Sequence, residues 1–238
     1  MTTNHVYGGA LGVVGGMGPL ASAEFLKTIY EFSVGEREQE SPIVFMYSNP
    51  TIPDRTESLL HGSREVLLES LTTALRQLHD MGATRTLICC VTMHCLLPYL
   101  PADLRSKLIS LLDVIYEAVE QHRQRQLLVC STGTRRLGLF QSHPSWQSLS
   151  DYMVLLDDGD QDEMHKLIYR MKQCSDPACV VPSLDALLRK YRVDSFIAGC
   201  TEMHLLARRF ILPENGRSHY GCIDPLTIVA RQLAGNCK

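Results

Sequence analysis

The stretch "LICCVTMHCLL", residues 87–97, crowds three of the chain's nine cysteines into seven positions beside a threonine and a histidine. On its own it fits a metal site, a sulfur-rich core or a nucleophile. A second stretch narrows the choice. "FIAGCTEMHLL", residues 196–206, overlays on the first with Cys90 on Cys200, Met93 on Met203 and His94 on His204. Each copy is a strand-like apolar run followed by Cys-x-x-Met-His and a Leu-rich segment that reads as helix. A motif repeated once per half is the mark of an internal duplication.

Outward from these two copies, short apolar runs alternate with longer amphipathic ones, the signature of βα units and parallel sheets. In the first half, strands are expected at 10–16, 42–49 and 84–90, and helices at 19–33, 63–80 and 107–121. In the second, strands are expected at 126–132, 152–158 and 194–200. Helices there are expected to begin at 133 and to cover 161–173, 183–192 and 225–234. The polar run "EQHRQRQ", 120–126, marks the break between halves. The fold class is therefore α/β, with two similar domains built on parallel sheets. Ligands of such sheets gather beyond the carboxyl ends of the strands. Two domains facing each other would set Cys90 and Cys200 across one cleft.

At 238 residues, 45% hydrophobic and 21% charged, the chain has the make-up of an ordinary globular protein with ample core. A formal net charge of −3 gives no electrostatic basis for binding nucleic acid or an anionic membrane surface. No stretch stays apolar over the roughly 18 residues a membrane span requires. "ALGVVGGMGPLASA", 10–23, ends in an Ala-Ser-Ala resembling a signal-peptidase site. Yet no Lys or Arg precedes Lys27, and four glycines and a proline interrupt the run. A cytoplasmic location is the expectation. An odd number of cysteines without framework spacing agrees with a reducing compartment, where most are buried thiols.

A cysteine between a strand end and a helix start sits in a field that favours thiolate. Two such thiols on opposite faces of a substrate suit one reaction in particular. One takes a proton from a carbon, the other delivers a proton to the opposite face, and the stereocentre inverts. A carbon acid beside a carboxylate also needs donors to hold the developing charge. Candidates are the backbone N–H groups of "GGMGPLAS" (15–22) ahead of a helix, the hydroxyls of Thr92 and Thr201, and Thr134 in "STGT" (131–134), the equivalent turn of the second half.

Four segments carry a resemblance. "GGMGPLAS" (15–22) is similar to a family pattern GGMGPxAT, "NPTIPDRT" (49–56) to NPxIPDRT, "CVTMH" (90–94) to CNTxH, and "GCTE" (199–202) to GCTE. In this order, spanning nearly the whole chain, they resemble the cofactor-independent aspartate/glutamate racemase superfamily, and most its aspartate racemase branch. The resemblance implies two pseudo-symmetric three-layer domains with the active site in the cleft between them. These are 1–120, joined by a C-terminal helix within 223–238, and 121–222. It implies a homodimer acting on a small amino acid, with neither pyridoxal phosphate nor metal.

Residue by residue, Cys90 and Cys200 match the acid–base pair that interconverts L- and D-aspartate. Asp54 and Arg55 match positions near the substrate's side-chain carboxylate, where Arg suits bidentate pairing. Met17, Gly18, Pro19, Thr92 and Thr201 match substrate-contacting positions. Glu202 stands where glutamate racemases carry His after the second Cys-Thr, which points to the aspartate side. Val91 replaces the motif's Asn, removing a polar contact to the substrate and altering affinity or range. Lys172 falls one position short of the spacing from Tyr169 that the family's helix Lys keeps, and is carried over on that footing.

Other readings stay open at this point. Two Cys-x-x-x-His pairs could supply a Cys2His2 zinc site, although the spacing is unusual and the ligands would converge from two domains. Otherwise each His is a helix first-turn residue satisfied by local hydrogen bonds. Gly16-Met-Gly18-Pro-Leu-Ala21 fits a dinucleotide fingerprint, but the second strand ends in Ser48-Asn49 with no acidic residue for a ribose. Cys89, on the opposite side of its strand from Cys90, and Cys95 read as core, and the remaining five cysteines as structural. Asp54, Arg55 and Lys172, taken alone, read as solvated charges. A racemase or isomerase of a related acid, glutamate included, and a catalytically silent binding homologue are the alternatives in function.

Overall fold

The computed structural model of the chain describes residues 9–173, 177–211 and 221–235. Among these residues, eight strands form two four-stranded sheets, parallel throughout. The first holds β1 (Ala10–Gly15), β2 (Val44–Ser48), β3 (Ala83–Ile88) and β4 (Leu108–Ile109), in the order β2-β1-β3-β4. The second holds β5 (Gln126–Val129), β6 (Met153–Val154), β7 (Ser195–Ala198) and β8 (Gly221–Ile223), in the order β6-β5-β7-β8. The identical order expresses the duplication in three dimensions. β1 matches β5, and β3, which leads to Cys90, matches β7, which leads to Cys200.

The central strands explain themselves. Every residue of β1, β5 and β7 is buried, whereas β2 at an edge is only partly so. Strands covered on both faces carry unbroken apolar runs rather than alternation. In each sheet the chain leaves the first strand to one side and returns to its other side. The crevice of such a switch lies between β1 and β3, and between β5 and β7, beyond their carboxyl ends. Each motif cysteine stands at one of these two points.

The halves are not independent lobes. Leu11, Val13 and Ile115 of the first share one apolar core with Leu128, Ile197 and Ile223 of the second. The helix Pro225–Ala234 packs on helices Pro19–Phe32 and Leu111–His122. Its buried Leu226, Val229, Ala230 and Leu233 form one helical stripe for that purpose.

Several expected elements change. The helix expected over 107–121 starts at Leu111, because Ser110 caps it by accepting from the Asp113 N–H at 3.2 Å. Leu108 and Ile109 instead extend the sheet beside Thr86 and Leu87. The strand expected over 152–158 shrinks to Met153–Val154. Asp157 then accepts from the Asp160 N–H at 2.8 Å and opens a helix at Asp158. The helix expected from 133 is the short Thr132–Arg136, which a left-handed Gly138 (φ 60°) follows. After Cys90 the Leu-rich run is a 3-10 helix, Thr92–Tyr99, with Pro98 inside it. β8 and the helix Arg55–Leu60 are additions. No helix among the described residues is long and apolar enough to cross a membrane.

Candidate active site

Both cysteines leave their strands through tight turns. The Cys90 N–H donates to Ile88 O at 2.8 Å, and the Gly199 N–H donates to Ile197 O at 2.9 Å. Gly199 fills the place of Cys89 because a Cβ there would come within 2.8 Å of Leu128 Cδ1. Both sulfurs are buried at the seam between the halves, where Thr201 bonds to Cys89 O.

Three ties hold the turns of the two halves together. Thr92 Oγ1 and Thr134 Oγ1 are 2.8 Å apart, with Ser131 Oγ bridging at 3.3 and 3.1 Å. Thr201 Oγ1 donates to Cys89 O at 3.3 Å. Tyr169 O–H donates to Asp54 Oδ2 at 2.6 Å. Asp54 also caps the helix Arg55–Leu60, accepting from the Glu57 N–H at 3.0 Å. Burial raises the Asp54 pKa, but the bonds from Tyr169 and Glu57 and the charges of Arg55 and Lys172 outweigh it and leave the carboxyl below its ordinary value. Tyr169→Phe removes the third tie. It is expected to lower stability by about 1 kcal/mol, given the half-exposure of the pair. Urea unfolding reads this, and an unchanged midpoint would mean that the tie does not hold in solution.

Arg55 is buried beside this tie. Its guanidinium donates only to carbonyls: Nη1 to Ile52 O and Pro53 O at 3.3 and 3.2 Å, and Nη2 to Met17 O at 3.4 Å. Burial lowers its pKa, while Cys90, Asp54, Glu202 and Tyr169 raise it further, and the net is upward. The Gly-rich loop is less free than expected. The Gly16 N–H is taken by Ser22 Oγ at 3.0 Å, so it is not available to a carboxylate. Pro19, at the start of the following helix, is exposed. Gly18 is left-handed (φ 138°), and a Cβ on it would overlap Glu202 Oε1.

Glu202 and Lys172 complete the charged set. Cys200 Sγ–H donates to Glu202 Oε2 at 2.8 Å. Glu202 Oε1 is buried without a hydrogen-bond partner, and Lys172 Nζ lies 3.9 Å from it. The same ammonium sits 4.1 Å over the Tyr169 ring. Burial and then the Glu202 charge push the Cys200 pKa well up, and Lys172 offsets this only in part. Although Cys200 caps the helical turn Thr201–Met203, burial and the Glu202 charge outweigh the field expected of a strand-to-helix turn.

Both motif histidines have their ring nitrogens engaged, away from any common point. His94 Nε2 accepts from the Leu111 N–H at 2.9 Å, so its Nδ1–H donates to Cys90 O at 3.0 Å. Burial pushes its pKa down to about 4, which keeps the ring neutral. His204 Nδ1 meets Asp224 Oδ2 at 2.6 Å, and its Nε2 meets Thr28 Oγ1 at 3.0 Å. These partners are distant in sequence, not local as expected. Among the described residues, no cluster of His, Cys, Asp and Glu could hold a metal ion.

Residues 14–233 match the Asp/Glu/Hydantoin racemase family. The chain belongs to that family. Picrophilus torridus aspartate racemase resembles it with a TM-score of 0.78 at 22% identity, over 96% of this chain and 95% of that one. Glutamate racemase from Campylobacter jejuni subsp. jejuni does so at 0.54 and 19%, over 92% and 83%. Allantoin racemase from Klebsiella pneumoniae does so at 0.58 and 11%, over 95% and 86%. At such identities the likeness is one of fold, and racemases named for three different substrates share it.

In this member of the racemase family, most of the expected site residues converge on the seam. Val91 does not; it is buried in the core shared by the two halves. Met17 is likewise buried, and it reaches the site through its carbonyl on Arg55. Cys89 is core, on the face away from Cys90, while Cys95 is partly buried and Cys179 exposed rather than buried. Cys174 and Cys237 lie outside the described residues. A separate cavity of about 510 Å³ lies behind His94, lined also by Arg64, Arg105 and His143, and contains none of the expected site residues. Ser131 and Tyr169 are additions to the site. So is His165, whose Nδ1 accepts from the Thr132 N–H at 3.2 Å and whose ring lies 4.4 Å from that of Tyr169.

Proposed function

We propose that this racemase interconverts the enantiomers of an acidic amino acid, aspartate first among them, by proton transfer between two thiols and Cα, without a cofactor. The observation that carries the proposal is the equivalence of Cys90 and Cys200 at matching switch points, both buried at one seam beside Arg55. A thiolate on one side of Cα removes the proton, and a thiol on the other side protonates the opposite face. A buried guanidinium bonded only to carbonyls favours a substrate with a second carboxylate, which it can pair bidentately. Lys172, close to Glu202, adds positive charge where the carbanion forms. The Glu after the second Cys-Thr and the likeness to an aspartate racemase support aspartate. Cys89, Cys90, Cys95, Cys130, Cys200 and Cys222 are free thiols, which fits the cytoplasm.

The test is a panel of single enantiomers, among them aspartate, glutamate and their amides, followed by chiral chromatography. Aspartate is expected to racemise fastest. Faster turnover of glutamate would move the assignment to that acid, and no turnover of any would favour a binding homologue. Cys89→Ala serves as the internal control. Its sulfur faces the core, and burial holds its pKa up. It is expected to retain racemisation within about twofold and to lose about 1 kcal/mol of stability. Lost activity in a folded Cys89→Ala would contradict the choice of Cys90.

A further inference from the structure

We propose that Glu202 is a positioning residue that keeps Cys200 protonated in the resting enzyme, so that Cys90 is the resting base and Cys200 the resting acid. The proposal rests on the two-thiol reaction above and adds which thiol starts in which role.

The duplication is broken at one informative position. Two residues after Cys90 stands Thr92, and two residues after Cys200 stands Glu202. Thr92 is neutral and turns to Thr134 at 2.8 Å. Glu202 turns back to its own cysteine, accepting from Sγ–H at 2.8 Å in a buried site. The thiol and the carboxyl share one proton. The hydrogen bond runs from Sγ–H to Oε2, so that proton rests on sulfur. A thiolate on Cys200 would face an ionised oxygen at hydrogen-bond distance and away from water, the costliest arrangement for two like charges. At Cys90 the neighbouring charge is the opposite one, Arg55.

The surroundings fit that role. Gly18 lacks the side chain that would overlap Glu202 Oε1, and its left-handed backbone favours glycine. Lys172, 3.9 Å from Oε1, is near enough to soften the transient charge when Cys200 gives up its proton. In the forward step the Cα–H bond breaks to Cys90 S⁻, giving Cys90–SH and a carbanion. The Cys200 S–H bond then breaks to the opposite face of Cα, giving Cys200 S⁻. One proton enters and one leaves the substrate, with no change in oxidation state. Afterwards Cys90–SH loses a proton to solvent and Cys200 S⁻ regains one, with Glu202 favouring the return.

Racemisation has an equilibrium constant of one, so kcat/KM is equal in both directions and does not expose this asymmetry. Alkylation without substrate does. With limiting iodoacetamide near neutral pH, Cys90 is expected to be labelled about tenfold faster than Cys200, as located by peptide mass mapping. In Glu202→Gln, which keeps the shape and removes the charge, Cys200 labelling is expected to rise about tenfold over its own wild-type rate. The limb of the kcat–pH profile that belongs to Cys200 is expected to move to lower pH. Glu202→Asp, which keeps the charge but shortens the reach, should fall between the two. Equal labelling in the wild type overturns the proposal, whether or not the variants fold. So does a Glu202→Gln protein whose Cys200 labelling and pH profile are unchanged. Because labelling needs no turnover, selective labelling without racemisation would count against the proposed function and leave the assignment of the two thiols standing.

Discussion

Cys90→Ala and Cys200→Ala are each expected to abolish racemisation while leaving the fold intact. The loss in kcat should be roughly 10²–10⁴-fold, the range that positioned acid–base groups supply. In the proposed reaction the two sulfurs are not redundant, because each would serve a different face of Cα. The structural cost is small. Each sulfur lies at the seam rather than deep in a sheet, and removing it deletes one atom from a partly apolar wall, worth about 1 kcal/mol. Circular dichroism and urea midpoints near those of the wild type, with chiral chromatography showing no second enantiomer, would match this account. Full activity in either variant would remove the two-thiol reaction.

Asp224→Ala is expected to cost about 3–5 kcal/mol, the largest stability effect at any single position considered. Thr28 Oγ1–H donates to Glu24 O at 2.7 Å, so the hydroxyl can only accept from His204 Nε2–H. His204 Nδ1 faces Asp224 Oδ2 at 2.6 Å. Asp224 is further held by Thr227 Oγ1–H at 2.5 Å and by the Leu226 N–H at 3.2 Å. This buried pair joins three elements behind the Cys200 turn: the helix Pro19–Phe32, the motif helix that begins at His204, and the helix Pro225–Ala234. Removing the carboxylate leaves His204 Nδ1, the Thr227 hydroxyl and the Leu226 N–H buried without their shared partner.

The same pair sets a pH window. Burial raises the Asp224 pKa, but His204, Thr227 and the Leu226 N–H lower it more, and it ends below its ordinary 3.8. A folded pKa below the unfolded one stabilises above the unfolded value, and the contribution is lost as pH falls through the folded value. Wild-type stability should thus decline below about pH 4 in part through Asp224. Asp224→Ala should flatten that decline as well as lower the plateau. A loss under about 1 kcal/mol in urea unfolding would show that the pair is solvated in solution.

The two-domain parallel architecture was legible because β1, β5 and β7 are short, fully buried, mainly apolar runs and because the two cysteines recur in one frame. β4 and β8 were not, since two or three residues carry no period and owe their conformation to the strand beside them. Cys90, Cys200 and Arg55 could be picked out from local motifs. The orientation of Glu202 toward its own cysteine could not, because it depends on the notch at Gly18 in the other half of the chain. Tyr169 is equally silent in sequence. Its role comes from Asp54, 115 positions earlier, which only the docking of the halves brings within reach. The histidines misled for the same reason. Their spacing suggested local bonds or metal; His94 keeps one local bond, to Cys90 O, but the other partners proved to be Leu111, Asp224 and Thr28.

The most direct test of the two-thiol reaction is the fate of solvent deuterium in the first few per cent of turnover. L-Aspartate is incubated with the enzyme in D2O, and the enantiomers are separated and weighed by mass spectrometry. Two monoprotic bases on opposite faces predict D-aspartate carrying deuterium at Cα in nearly every molecule, with the remaining L-aspartate still carrying protium. D-Aspartate that keeps the original protium, or deuterium entering both enantiomers equally from the start, would contradict it.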